Sequence, residues 1–264
     1  MNACFPAYKT NNMEYLTRRA MLQYGAAAIA MPLIGCEKKQ DDIYPSSLYF
    51  YNSSSYLTAP MLEQIIVETK KAFDNVGISF KRAEEIKTFP ELSGLDILMI
   101  YSESQIVLSY LGSYGQFTLN EADYLVMKQS IPSLPYSNDE AKVHLGYIWT
   151  PGLIKETRTE KDIMPLFIAT SIHEIAHGLG APHIKPAIGC IGEVCKPKQF
   201  YMVGRTDYME SVFHPVTVEK MKAFIQKVQA IPKHKNKEEK GKLIYSLRDS
   251  SLDNVTHYTP FPEW

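Results

Sequence analysis

The segment HEIAHGLGAPH, from His173 to His183, concentrates residues that can bind a metal ion. Histidine is scarce in the chain, with 7 among 264 residues, and three of them lie in this segment. On a helix, His173 and His177 are four residues apart, so their side chains stack on one face about 5–6 Å apart. Two imidazole nitrogens placed in this way can bind the same metal ion.

His183 can join this pair only if the helix ends before it. On a continued helix it would be rotated roughly 240° away from His177. Gly180 predicts the end, because glycine adopts a left-handed conformation without a Cβ penalty. Pro182 then favours an extended Ala181. We therefore expect His183 to turn back toward the other two histidines, leaving a fourth position for water, as in catalytic zinc sites.

Glu174 suits a different role from the histidines. It lies about 100° round the helix from His173, where it is poorly placed to ligate but can reach a water on the metal. A carboxylate in that position acts as a general base. The alternative is that the pattern arises by coincidence on a buried helix.

The segment resembles the HExxHxxGxxH signature of the metzincin zinc endopeptidases, residue for residue. This resemblance implies one zinc ion bound by His173, His177 and His183, with Glu174 as base and proton shuttle. It also implies an α/β (α+β) fold, in which a mixed, twisted β-sheet precedes the active-site helix, a methionine turn and a C-terminal helix. A peptide or protein would be the substrate.

Two methionines could occupy the turn that metzincins have beneath the metal. We prefer Met209 in TDYMES to Met202 in FYMVG, because VFHP and a helix from Thr217 follow it in the family's order. The chain departs from the family in two places. Ser211 stands where some metzincins have a tyrosine ligand, and Ile184 after the third histidine matches no subfamily marker, so no subfamily is assigned.

The N-terminal segment has the features of a bacterial export signal. An arginine pair, Arg18 and Arg19, precedes an apolar run from 20 to 34 and then Cys36. The run is shorter than the roughly 20 residues that span a bilayer, and it suits a signal peptide. TRRAMLQ resembles a twin-arginine signal, and LIGC resembles a lipobox whose cysteine is lipidated. The alternative is a buried apolar helix that ends in Gly-Cys.

The remaining cysteines then have a simple interpretation. The chain has 4 cysteines; Cys4 would be removed with the signal and Cys36 would carry lipid. Cys190 and Cys195 are left, and an oxidising compartment favours a disulfide between them over two free thiols. Two cysteines are too few for the second zinc site of archaemetzincins.

Apolar patterns predict the elements that position the site. Strands are expected in SLYFYNS, ISFKRA, LDILMIYS and KVHLGYIWT, in the last of which Gly146 indicates a bulge or the close approach of another backbone. Helices are expected in APMLEQIIVETKKAFDNVG, in DIMPLFIATSIHEIAHGLG with Asp162 as N-cap, and in TVEKMKAFIQKVQAI with Thr217 as cap. VHLGYIW is the candidate edge strand for binding an extended substrate.

These patterns divide the chain into four parts. We expect a signal peptide at 1–35, a lipid-anchored tether at 36–46, a metzincin-like catalytic domain at 47–231, and a charged C-terminal tail at 232–264. This tail begins with the solvated stretch KHKNKEEKGK after Pro232. The net charge of -1 gives no reason to expect nucleic acid as a partner.

The sequence as a whole predicts an exported, membrane-anchored bacterial lipoprotein with zinc-dependent endopeptidase activity. Two alternatives stay open, a non-catalytic zinc-binding surface lipoprotein and a zinc hydrolase of a non-peptide amide or ester. Glu174 argues against the first alternative, because a binding module needs no base beside the water. Nothing in the sequence separates a peptidase from the second.

Overall fold

The protein has a mixed α/β fold built around a five-stranded mixed sheet, as expected. A computed structural model describes residues 47–105, 115–117, 119–156, 162–186, 213–252 and 256–258. The sheet strands are β1 (Ser47–Asn52), β2 (Arg82–Glu85), β3 (Ile97–Ser102), β4 (Gly115–Phe117) and β5 (Leu145–Trp149). Their order is β2-β1-β3-β5-β4. β4 ends this order and so forms one edge of the sheet. It is the only one of these strands that is antiparallel to its neighbour.

Seven helices and a small second sheet complete the described elements. The helices are α1 (Ala59–Asp74), α2 (Glu121–Ser130), α3 (Asn138–His144), α4 (Thr150–Glu156), α5 (Ile163–Gly178), α6 (Pro215–Gln229) and α7 (Lys237–Leu252). Strands β6 (Ile184–Pro186) and β7 (Thr256–Tyr258) pair in parallel with each other. The predicted metal-binding segment, 173–183, therefore begins in α5 and ends immediately before β6.

Both faces of the sheet are covered, which explains why β3 is a continuous apolar run rather than an alternating one. Met99 and Tyr101 pack in the larger core cluster together with residues of α1, α5 and α6. Leu98 and Ile100 face the other way and pack with residues of α2 and α3. The larger cluster buries Ile172 and Ile175 of α5, so the histidines lie on a different face of this helix.

The strand expected in KVHLGYIWT differs from the prediction in two respects. Its first three residues, 142–144, end helix α3, and β5 begins only at Leu145. β5 is an interior strand between β3 and β4, so the prediction that it is the edge strand is wrong. At Gly146 the register to both neighbours is unbroken, and the close approach comes from the side chains of Met99 and Phe117 rather than from another backbone.

The C-terminal region also differs from the expectation. Helix α6 begins at Pro215, with His214 rather than Thr217 as its N-cap. The region expected to be a charged tail contains helix α7, which packs against α3 and α6 and buries Ile244 and Arg248. The charged stretch 233–242 has no buried residue, which agrees with its predicted solvation. None of the helices in the described residues combines the length and apolar character needed to cross a membrane.

The segment between β3 and β5 contains elements that the sequence pattern did not predict. The Asn120 side chain caps α2 by accepting a hydrogen bond from the backbone N–H of Asp123. Ser137 and Glu140 form a reciprocal capping box at the start of α3. Because both helices are short, their caps are a clearer sequence signal than their apolar spacing.

His144, at the end of α3, is a buried ionisable group that links pH to stability. Its Nδ1–H donates to the carbonyl oxygen of Asp96 at 2.8 Å, and its side chain is almost inaccessible. Burial lowers the pKa of His144 from 6.5 to about 4, helped by the charges of Arg248 and Lys237 and opposed by Asp96.

We expect the free energy of unfolding to depend on pH through His144. Below pH 6.5 the imidazole of His144 is protonated in the unfolded state, but in the folded state it takes up this proton only near pH 4. The free energy of unfolding therefore falls as the pH decreases from 6.5 to 4. The loss amounts to about 3 kcal/mol by pH 4. Urea unfolding measures the free energy of unfolding at pH 7 and at pH 4. The difference between these two values should be smaller for His144→Asn than for the parent. Equal differences in the two proteins would contradict this assignment.

Candidate metal site

The end of α5 is shaped by a glycine turn, as predicted. The N–H of Gly180 donates to the carbonyl of His177 and that of Ala181 donates to the carbonyl of Ala176, both at 2.9 Å. This pair of bonds is the Schellman motif, which requires a left-handed residue. Gly180 supplies it with φ of 76°. A Cβ there would also stand 2.6 Å from the ring of Phe224, so only glycine fits.

The turn brings the three predicted ligands together. The Nε2 atom of His173 lies 3.1 Å from that of His177 and 3.1 Å from that of His183. The third separation, between His177 and His183, is 3.3 Å. These three side chains form a group that could hold a metal ion.

A hydrogen bond sets the tautomer of His177, and burial keeps its ring neutral. Its Nδ1 lies 2.8 Å from the carbonyl oxygen of Ala181. A carbonyl can only accept, so Nδ1 carries the proton. Burial, followed by the neighbouring His173 and His183, lowers the pKa of His177 well below its ordinary value. In the neutral ring Nε2 therefore presents a lone pair to the other two histidines, which is the tautomer that metal ligands adopt.

Glu174 lies beside the ligands in sequence but contacts the sheet edge. Its side chain is only 5% exposed. The carboxyl group rests on β4: a Cβ added to Gly115 would stand 2.7 Å from its Oε1 atom. Burial raises the pKa of Glu174 to about 8, and a hydrogen bond from the Phe117 backbone opposes this rise. The candidate base is therefore held between α5 and the edge strand.

Sequence reasoning did not identify β4 as part of the site. The strand has only three residues, and 106–114 before it lie outside the described part of the chain. A segment this short has no apolar period to detect. The contact between Gly115 and Glu174 joins residues that are distant along the chain, so the sequence contains no local signal for it.

Four other predicted site residues lie outside the described residues. They are the turn methionine Met209, the lipidation site Cys36, and the two cysteines expected to pair, Cys190 and Cys195. The roles assigned to them stay predictions.

No model of a protein family matches the chain, and no curated protein matches its sequence.

The contact between Gly115 and Glu174 can be tested by adding a single methyl group. We expect Gly115→Ala to lower the free energy of unfolding by about 1–3 kcal/mol, the usual cost of overpacking a filled interior. In a Glu174→Ala background the same substitution should cost much less, because the group it would collide with is gone. Urea unfolding of the four proteins measures both effects.

Gly241 provides a matched control for this substitution. A Cβ there would meet only Val143, at an ordinary distance of 3.8 Å. Gly241→Ala should be neutral or stabilising, because alanine is the better helix former. If Gly115→Ala costs the same with and without the Glu174 side chain, the collision partner is a different group.

Proposed function

We propose that this protein is a zinc-dependent endopeptidase of the metzincin type, anchored to a membrane of the cell envelope by lipid. One observation carries the proposal. Three Nε2 atoms converge within 3.3 Å of one another on a helix end, and the residue after the first of them is a buried glutamate held against the sheet edge. Ligand and base thus lie in the same helical turn.

The donor set suits zinc. Zinc prefers imidazole ligands at 2.0–2.1 Å in a tetrahedral arrangement, and two such nitrogens are then about 3.3–3.4 Å apart. The separations of 3.1–3.3 Å are close to this value. Three imidazole ligands also leave a coordination position open, as catalytic rather than structural zinc sites do. Hard cations such as Mg²⁺ and Ca²⁺ prefer oxygen ligands instead.

The chain's own residues would perform the proton transfers of peptide hydrolysis. When bound, zinc lowers the pKa of a water molecule toward about 7 and polarises a carbonyl group. The positive charge of the bound ion would favour the ionised form of Glu174 over the protonated form that burial favours. Glu174 would then accept the proton that the attacking water loses and pass it to the departing amine. The contact with Gly115 and the bond from Phe117 hold its carboxyl group in one place, which spares the reaction the cost of orienting the base.

The position of β4 supports a peptide as substrate. Peptidases commonly bind their substrate as an extended strand beside a sheet edge. β4 is an edge strand of this sheet, and it is the strand that contacts the candidate base. A substrate lying along β4 would therefore pass close to Glu174.

Two substitutions separate metal binding from catalysis. His177→Ala removes a ligand, so zinc content and peptide cleavage should both fall. Glu174→Gln keeps the ligands, so zinc should stay near one ion per chain. Cleavage should nevertheless drop by about 10²–10⁴-fold, the usual effect of losing a general base. Zinc analysis and digestion of a broad peptide library measure the two outcomes.

Exposed residues of the same types serve as controls. His234→Ala and Glu219→Gln change exposed side chains outside the site and should leave both zinc content and cleavage unchanged. Parental cleavage by Glu174→Gln would refute its role as base. A zinc-loaded parent that cleaves no peptide would favour the non-catalytic protein or the hydrolase of a non-peptide amide or ester.

The membrane anchor is a separate part of the proposal. LIGC after a short apolar run supports Cys36 as the lipidated first residue of the mature protein. Several acyl chains hold a protein on a bilayer stably, whereas one chain binds only marginally. Cys36→Ser should therefore move the protein from the membrane fraction to the soluble fraction and change its mass. A variant that is still processed before position 36 and stays on the membrane would show that another feature anchors it.

A further inference from the structure

Arg248 of helix α7 is a buried charge without an acidic partner among the described residues. Its side chain is only 2% exposed. Burial lowers the pKa of its guanidinium to about 9. An ionised group in the interior is costly unless hydrogen bonds and dipoles stabilise it. One of the contacts that do so here is with the end of the helix that carries His173 and His177.

The guanidinium binds the C-terminal ends of two helices. Its Nε donates to the carbonyl of Gly178 at 3.0 Å, and its Nη1 donates to the carbonyls of Val143 at 2.8 Å and Lys142 at 3.2 Å. Gly178 is the last residue of α5, and the other two lie in the last turn of α3. The partial negative charge at both helix ends stabilises the cation in place of a carboxylate.

The bond to Gly178 completes the turn that positions His183. The carbonyls of Ala176 and His177 are satisfied within the glycine turn by Ala181 and Gly180. The carbonyl of Gly178 is the next along the chain, and Arg248 is its donor. A C-terminal carbonyl left without a partner in the interior would favour fraying of this last turn.

Two aromatic rings flank the guanidinium and reach the rest of the site. Its Cζ lies 4.8 Å from the centre of the Phe117 ring and 5.7 Å from that of Phe224. Phe117 belongs to β4, and its backbone hydrogen-bonds to Glu174. Phe224 of α6 is the ring that packs against Gly180. Arg248 thus contacts the end of α5 and also β4 and α6, the two elements that pack against α5 near the site.

We propose that Arg248 is a positioning residue, through which the C-terminal helix α7 holds the metal site in its binding geometry. It fixes the last turn of α5, from which the chain returns to His183, and it supports the strand against which Glu174 rests. The inference relies on the metal-binding part of the proposed function and not on the peptidase activity. Truncation or displacement of α7 would accordingly weaken metal binding from a distance.

Metal affinity tests this role independently of catalysis. In Arg248→Met, a side chain of similar length replaces the guanidinium and donates no hydrogen bond. Zinc affinity, measured by competition with a chromophoric chelator, should fall by about 10-fold or more, the usual effect of losing support around metal ligands. The visible spectrum of the cobalt-substituted protein should change as well. Arg248→Lys keeps the charge but cannot reach both helix ends together. The zinc affinity of this variant should therefore lie between those of the parent and Arg248→Met.

Ile244→Val is the matched control for loosened packing of α7. Ile244 is buried one turn before Arg248 on the same helix. Its truncation should lower the melting temperature while zinc affinity and the cobalt spectrum stay those of the parent. A folded Arg248→Met with the affinity and spectrum of the parent would overturn the proposal. A parent that binds no zinc would instead refute the proposed function itself.

Hydrogen exchange in the parent covers the case in which neither variant folds. Coupling between two sites is reciprocal, so zinc should slow amide exchange in α7 as well as in α5. Helix α2, which packs on the opposite face of the sheet, is the internal reference and should change little. Slower exchange in α5 with no change in α7 would show that α7 is not coupled to the metal site, and the proposal would fail.

Discussion

The left-handed turn at Gly180 is the constraint on which the site depends. Two histidines four residues apart on a helix offer only two ligands, and a helix that continued would carry the third away. The turn ends α5 with two backbone hydrogen bonds and redirects the chain, so that the Nε2 atom of His183 comes within 3.3 Å of the other two. The ring of Phe224 closes over Gly180 and excludes any side chain there.

The fold holds this turn from several directions. The apolar face of α5 is buried in the larger core cluster, and the histidines lie on a different face of the helix. The sheet edge meets the helix at Gly115, where the absence of a side chain lets the Glu174 carboxyl group rest on the strand. A buried carboxyl group with its pKa raised by burial is unfavourable for folding alone. Such a cost is typical of sites kept for chemistry.

The C-terminal helix belongs to this arrangement rather than to a tail. The guanidinium of Arg248 extends from α7 into the interior and lies where the ends of α3 and α5 meet. Helix dipoles and carbonyl oxygens take the part that an acidic side chain usually has in such a contact. As a result, a side chain 70 residues further along the chain hydrogen-bonds to the end of the helix that carries two of the candidate ligands.

The sequence by itself determined the features that depend on local geometry. The spacing of His173, His177 and His183, the stop at Gly180 and the buried face of α5 all follow from the helical repeat and the conformational freedom of glycine. The mixed α/β class follows from the order of apolar segments. Short-range rules suffice for these features because the interacting residues are close in the chain.

Only the tertiary structure decided which parts meet around the site. That β4 rather than β5 forms the sheet edge depends on strand order, which a pattern of apolar residues does not encode. The contact of Gly115 with Glu174 and the bonds from Arg248 to Gly178 and Val143 join distant residues. From the sequence alone, Arg248 is expected to be a solvated side chain, because it lies in a region rich in charged residues. It is buried here because two helix ends meet at that point and leave carbonyls that need a donor.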